Sequence, residues 1–314
     1  MNNPTMIIGT GNMARTYFRH FRYLDEKCYM LFRNKYSENY KKALDEFGES
    51  SLLNITEAQN QNINLLLSCV GHEDHLKSIK DLKNKAKLTA IEKPISLNLK
   101  EIEDFDSKES TFVLMNRRYY SWVQKVKELI ENDFIRKIII NIPENKNNSL
   151  WCNMPSSLIT NSIHVFDLIY FLCDRLDSPI FKKIDSDSAF FFLKTKRVEE
   201  VIFNLDYKAI ENFTIKFYLK DNSIIQCSPI EKASIYKTFR IIEPNKSAYI
   251  RQFIPISTVF TEEKVYMDYQ KPGIINLCQD LLSQKDDQLN NDLKLPNIVE
   301  AYKIMNWLRE IFIT

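Results

Sequence analysis

Apolar positions fall into two rhythms along this chain of 314 residues, and the change comes near residue 117. Before it, short unbroken apolar runs alternate with stretches of helical period. Residues 6–8 are too few to stand alone, so they are expected as a central strand buried on both faces. A helix is predicted over 12–23, a strand over 28–32, and a polar helix over 37–47 ending near Gly48. The run at 63–70 is mainly apolar and fits a strand covered on both sides. Helices at 74–84 and 97–105 and strands at 87–91 and 111–115 complete the alternation, which predicts a parallel sheet between two helical layers.

After residue 117 the rhythm is different. A helix is predicted over 120–132 from Trp122, Val123, Val126, Leu129 and Ile130. A strand follows at 138–142, then a polar loop at 144–149. Residues 158–172 are apolar enough to read as one buried helix. From residue 184 onward strands dominate, at 189–193, 200–207, 213–219, 223–227 and 239–243, with a hairpin turn expected at Asp221-Asn222. An amphipathic helix over 297–312 closes the sequence. The fold class is therefore α/β: a parallel sheet covered on both faces over 1–117, then a domain over 118–314 whose strands read as an antiparallel sheet. That sheet offers a lid and a dimer surface, and the final helix has the option of packing back on the first domain.

Composition narrows the function classes. With 44% apolar and 27% charged residues the chain is globular. A formal net charge of +2 gives no argument for nucleic acid or an anionic membrane. The six cysteines form no C-x-x-C pair and lie mostly in apolar runs, which reads as buried free thiols. No leader pattern opens the sequence and no apolar run is long enough to span a bilayer, so a soluble cytoplasmic protein is expected.

Only five glycines occur, and two of them stand at 9 and 11. Met6-Ile7-Ile8-Gly9-Thr10-Gly11-Asn12-Met13-Ala14 is a strand turning tightly into a helix, with Gly-x-Gly-x-x-Ala at the turn. That is the dinucleotide fingerprint with alanine in third place. The first glycine makes the turn, the second lets a pyrophosphate approach the backbone, and alanine permits close helix–strand packing. Gly9, Thr10, Gly11, Asn12 and Met13 are the candidate pyrophosphate contacts. The second strand ends at Phe32 and is followed by Arg33-Asn34-Lys35, with no acid to receive a ribose 2′-hydroxyl. Arginine suits a 2′-phosphate, which favours NADP(H) over NAD(H). A purely adenine-stacking Arg33 stays open.

Ile91-Glu92-Lys93-Pro94-Ile95-Ser96 places a lysine at the end of another apolar strand. In a partly dry site beside a cationic nicotinamide its pKa is expected to fall, and it can bond a substrate oxygen and stabilise alkoxide charge. Alcohol oxidation also needs a group that takes the hydroxyl proton near neutral pH, and an imidazole suits it. His164 and Asp167 stand i, i+3 on the apolar helix, so they can share a side. Asp167 is expected to bond Lys93 or a backbone group.

With these residues assembled, the chain resembles the family of glucose–fructose oxidoreductase and myo-inositol 2-dehydrogenase (Gfo/Idh/MocA) over nearly its whole length. The resemblance rests on Gly9–Ala14, Cys69-Val70-Gly71-His72-Glu73-Asp74-His75, Glu92-Lys93-Pro94-Ile95, Asn116-Arg117-Arg118-Tyr119 and Ser162-Ile163-His164-Val165-Phe166-Asp167. It implies a Rossmann domain with a second open-sheet domain and a nicotinamide cofactor. It also implies oxidation or reduction of a sugar or cyclitol carbon. Lys93 would be the catalytic lysine, with Glu92 beside it, and His164 the histidine of the substrate helix. Cys69 and His75 join the cofactor set, and Thr160, Asn161, Asp167, Arg117 and Tyr119 the substrate set. Nucleotide-linked sugars of surface polysaccharide synthesis enter by the same analogy, as does a homodimer or homotetramer through the second sheet.

The chain departs from the family pattern at several points. Thr160 stands where many members have an aspartate, and Ser162 replaces a glycine. Cys69-Val70-Gly71 replaces an apolar-threonine-proline run, and Asp133-Phe134-Ile135-Arg136 lacks a common glycine turn. Threonine can bond a sugar hydroxyl but cannot act as a base near neutral pH. Two readings follow: an active sugar oxidoreductase using Lys93 and His164, or a degenerate sensor of a nucleotide or metabolite. His72 and His75 offer two ligands on one turn, but no Cys or His cluster accompanies them, so no metal is expected. Arg117 and Tyr119 serve either an acidic sugar or an interdomain clamp.

Overall fold

A computed structural model describes residues 3–106, 108–144, 150–208, 213–220, 224–227, 239–242, 252–254, 273–284 and 293–313. The expected hairpin at Asp221-Asn222 lies outside these residues. Contacts divide the chain into two units, one of residues 1–116 with 273–303 and the other of residues 117–272 with 304–314.

The first unit begins with β1 (Thr5–Ile8), α1 (Asn12–Tyr23), β2 (Cys28–Phe32), α2 (Glu38–Phe47), β3 (Leu52–Asn54) and α3 (Ile55–Ala58). It continues with β4 (Ile63–Ser68), α4 (His75–Ile79), β5 (Ala86–Ile91), α5 (Leu99–Glu103) and β6 (Thr111–Val113). All six strands are parallel, in the order β3-β2-β1-β4-β5-β6. The order reverses between β1 and β4. In such sheets the crevice outside the carboxyl ends at that reversal is where ligands bind. Every residue of β1 and β4 is buried, Thr5, Asn64 and Ser68 included, as a strand covered on both faces requires.

Helix α1 buries Ala14, Tyr17, Phe18 and Phe21, the i, i+3, i+4, i+7 stripe of a helix lying on a sheet. Ser37 starts α2 by accepting from the Tyr40 amide, and Gly48 stops it. The helix expected over 74–84 is shorter than its apolar pattern, since α4 covers only His75–Ile79 and a 3-10 turn follows at Lys83–Lys85. Helix Ile274–Ser283, which the sequence reading missed, packs on α1. Phe112 bridges to Asn297, and the Val113 amide donates to Pro296.

The second unit carries α6 (Ser121–Glu131), β7 (Ile135–Pro143), the small hairpin of β8 (Leu150–Trp151) and β9 (Met154–Pro155), α7 (Ser157–Thr160) and α8 (Ile163–Cys173). Then come β10 (Phe181–Ile184), β11 (Ser188–Leu193), β12 (Glu200–Asp206), β13 (Thr214–Leu219), β14 (Ile224–Cys227), β15 (Phe239–Ile242) and β16 (Gln252–Ile254). These form one eight-stranded sheet, β10-β11-β12-β7-β13-β14-β15-β16, antiparallel except where β12 meets β7. Along β11, β12, β13 and β7 from Ile138 onward every second side chain is buried, so one face makes the core. Phe166 of α8, Phe191, Phe203 and Trp307 form its aromatic centre, with rings 4.8 to 6.4 Å apart. Helix Ile298–Ile313 begins in the first unit and ends in the second.

The single helix expected over 158–172 is two. Helix α7 ends at Thr160, Asn161 takes φ −118° and ψ −58°, and α8 starts at Ile163. Ser162 at the joint gives its hydroxyl to Glu144 at 2.5 Å. Both halves are buried, so the apolar pattern runs through the break without marking it.

Candidate functional site

In the first unit the carboxyl ends of the central strands stand side by side. The Gly9 amide donates to Leu31 O, the Cys69 amide to Ile8 O and the Glu92 amide to Ser68 O, each at 2.9 Å. Gly9, Cys69 and Glu92 therefore lie along one edge of the sheet, each one residue past its strand.

Gly9 has φ +112°, and a Cβ there would lie 2.7 Å from Cys69 O. A side chain is excluded by both conformation and space. Gly11 differs, because a Cβ there would meet nothing within 4 Å. Its missing side chain leaves open space at the start of α1. Gly11 is also the N-cap of α1, no side chain caps the helix, and no acid stands in its first turn. The first amides of α1 thus face that space with the positive end of the helix dipole. An open approach, uncapped amides and the reversal of strand order fit a dinucleotide pyrophosphate. Asn12 is exposed, Met13 half-buried, and Thr10 buried with its carbonyl accepting from Arg15 at 3.3 Å.

Arg33 is exposed directly after β2. The Asn34 side chain accepts from the Tyr36 amide at 2.9 Å, which turns its carbonyl inward and leaves its NH2 as donor. The segment offers donors and a cation, with no carboxylate before Glu38.

At the end of β5, Glu92 is buried and receives the Tyr17 hydroxyl on Oε1 at 2.9 Å. Its Oε2 accepts the Lys93 amide at 3.2 Å. The Lys93 side chain is half-buried, and the Lys93–Pro94 bond is cis. Beyond it Ser96 gives its hydroxyl to Glu101 and accepts the Asn98 amide, tying this loop to α5. Burial, followed by the Glu92 carboxylate, pushes the Tyr17 phenol well up, so Tyr17 stays a donor. The Cys69 thiol rises well above its usual range for the same two reasons.

His75 opens α4 and is buried. Ser78 spends its only proton on the His75 carbonyl at 2.8 Å, so Ser68, 2.7 Å away, must donate to Ser78. Ser68 is then left to accept from His75 Nδ1 at 3.1 Å. The chain of bonds fixes the imidazole tautomer with Nδ1 protonated and Nε2 as acceptor. Burial first, then His72 and Lys93, pull its pKa down to about 4. Among the described residues no group of three or more His, Cys, Asp or Glu side chains is placed to hold a metal ion.

In the second unit, His164 is half-buried in the first turn of α8, and Asn161 is exposed. Thr160 is half-buried and back-bonds its hydroxyl to Ser156 O at 3.2 Å, within α7. Asp167 has a strong partner that the sequence did not announce. It is fully buried, and its carboxylate takes Nε–H and an Nη2–H of Arg118 at 2.9 and 2.6 Å. A paired carboxylate this deep anchors the segment before α6 to α8. Arg118 also lies over the Phe171 ring at 4.8 Å. Arg117 is buried with its guanidinium 5.1 Å from the centre of the Phe213 ring, and Tyr119 is buried too.

Tyr17, Ser68, Ser78 and Arg118 were not singled out in the sequence. Tyr17 carried a faint signal: it falls on the buried stripe of α1, where a phenol needs a partner. The others depend on pairings across distant parts of the chain.

No protein-family model and no curated protein sequence matches the chain. Solved structures do match it in fold. A candidate NADPH-dependent oxidoreductase from Desulfitobacterium hafniense superposes with a TM-score of 0.76 at 13% identity, covering 99% of this chain and 95% of its own. A dehydrogenase from Chromobacterium violaceum gives 0.73 at 14% identity, with 98% and 93% covered. A myo-inositol dehydrogenase from Corynebacterium glutamicum gives 0.68 at 11% identity, with 98% and 94% covered. The fold that the family resemblance implies is the fold found among the described residues.

Proposed function

We propose that the chain is an oxidoreductase of the Gfo/Idh/MocA kind that passes hydride between NADP(H) and a carbon of a sugar or nucleotide-linked sugar. The observation that carries the reading is the contrast between Gly9, closed against Cys69, and Gly11, open at the head of an uncapped helix where strand order reverses. Structural neighbours named as an NADPH-dependent oxidoreductase candidate and a myo-inositol dehydrogenase support it.

The bound nicotinamide supplies the hydride acceptor or donor. Backbone amides of Gly11, Asn12 and Met13 hold the pyrophosphate, with Gly9 and Thr10 shaping the turn. Arg33 and the Asn34 amide group receive the 2′-phosphate, which is the basis for preferring NADP(H). Cys69, His75 and Glu92 line the cofactor side. Lys93 bonds the reacting oxygen and stabilises its developing charge. His164 exchanges the hydroxyl proton. Thr160 and Asn161 shape the sugar pocket, and Arg117 and Tyr119 support it from buried positions. The open sheet joins copies into a homodimer or homotetramer, with the exposed Phe181 and Ile184 of edge strand β10 as apolar contacts. Six free cysteines suit a reducing cytoplasm, and among the described residues no helix is long and apolar enough to cross a membrane.

A second reading draws on Thr160, whose hydroxyl is turned to its own helix where a carboxylate would have made the site a stronger base. In that reading the protein senses a nucleotide or metabolite without turning it over. Fluorescence titration with NADPH and NADH, followed by a sugar panel read at the nicotinamide band, separates the two. Turnover that is lost in Lys93→Ala supports the enzyme; tight NADPH binding with no turnover on any sugar supports the sensor. Turnover intact in Lys93→Ala overturns the mechanism.

A further inference from the structure

We infer that Tyr17 is a positioning residue for Lys93, tying the lysine to the helix whose head would hold the dinucleotide. This deepens the proposed function and rests on its assignment of Lys93 and of the α1 N-terminus.

The argument runs through one buried carboxylate. Glu92 is only 7% exposed, and a carboxylate so placed needs its oxygens satisfied. Oε1 is bonded by the Tyr17 hydroxyl, a residue 75 positions away, and Oε2 by the amide of Lys93 itself. The lysine backbone is therefore fixed by a side chain of α1, through Glu92, as well as by its own strand. The donor is a dependable one. Tyr17 is 1% exposed, and its titratable neighbours besides Glu92 are the buried thiols Cys69 and Cys278. None of these supplies a proton acceptor that would compete with a carboxylate for the phenol.

The same helix makes the link to the dinucleotide. Tyr17 stands six residues beyond Gly11, which places it about 9 Å along the axis. A single packed helix is stiff over that length, so whatever orders its first turn also fixes Tyr17. The hydroxyl also withdraws part of the Glu92 charge. Without it a fuller negative charge stays one residue from the lysine ammonium and favours its protonated form.

The test is amine labelling of the intact protein at neutral pH, with each lysine followed by peptide mass spectrometry, in the parent and in Tyr17→Phe. Lys93 is expected to label more slowly in the variant, by roughly tenfold if its proton is held by one pKa unit more. Exposed Lys42 serves as the internal standard and should not change. NADPH is then added: in the parent it should alter Lys93 labelling, and in Tyr17→Phe that response should shrink. A merely structural Tyr17 would lower the melting temperature and leave the ratio of Lys93 to Lys42 labelling alone, and that result overturns the proposal. Should Tyr17→Phe fail to fold, Glu92→Gln gives the same readout, because an amide removes the charge and should speed Lys93 labelling; no change there overturns it equally. Failure of NADPH to bind the parent counts against the proposed function, while the comparison without nucleotide still decides the role of Tyr17.

Discussion

Two glycines two residues apart make opposite predictions. Gly9→Ala forces a Cβ to 2.7 Å from Cys69 O at φ +112°, so it should destabilise the first unit by roughly 2 kcal/mol or more, read as a lowered urea midpoint. A Cβ at Gly11 meets nothing within 4 Å, so Gly11→Ala should lower that midpoint much less than Gly9→Ala, yet crowd the approach to the α1 amides and weaken NADPH binding about tenfold by fluorescence titration. Loss of affinity in neither variant would remove the pyrophosphate site. At His75 the imidazole is held neutral, with a pKa of about 4 against an ordinary 6.5. Above pH 6.5 both folded and unfolded chains keep this histidine neutral and its contribution is fully present. As pH falls from 6.5 towards 4 the unfolded chain takes up the proton first, so stability drains away, by about 3 kcal/mol at most. Urea midpoints measured across that window should fall, and His75→Gln should flatten the part of the slope due to this residue.

At the scale of elements, the parallel half was legible because buried strands and amphipathic helices differ in period, and that difference survives without any tertiary information. The stripe Ala14, Tyr17, Phe18, Phe21 and the Ser37 cap needed only local spacing. The break at Ser162 was not legible, because both α7 and α8 are buried and the signal that parts them is a hydrogen bond to Glu144, eighteen residues earlier. Edge strand β10 was passed over because Lys182 and Lys183 interrupt it and most of it is exposed, which removes the alternation that marks a half-buried strand. The parallel meeting of β12 and β7 needs a pairing that neither strand announces. The partner of Asp167 was missed for the same reason, since Arg118 lies 49 residues away. That pair should matter to stability and little to the nucleotide. Asp167→Ala strips the buried Arg118 of two hydrogen bonds and is expected to cost about 3–5 kcal/mol in the second unit, with NADPH affinity unchanged. An unaltered urea transition would show the pair to be dispensable.

For the whole molecule, ligand linkage offers a further check. A dinucleotide that binds only the folded first unit at a hundred times its dissociation constant should stabilise that unit by about 2.7 kcal/mol, seen as slowed hydrogen exchange in β1, β4 and β5. Exchange in the second unit's β7, β12 and β13 should be the control. The division of the chain has a consequence for how the protein is made. The first unit takes residues 1–116 and then waits for 273–303, whose Pro296 receives the Val113 amide and whose Cys278 lies buried against the core beside α1. A ribosome releasing residues from the amino end will have exposed the whole nucleotide-binding fingerprint long before the helix Ile274–Ser283 that covers α1 has left the tunnel. The Rossmann half, first in the message, cannot finish folding until the chain is nearly complete. A nascent chain arrested soon after residue 116 should remain open to protease, and one arrested well beyond residue 303 should resist it.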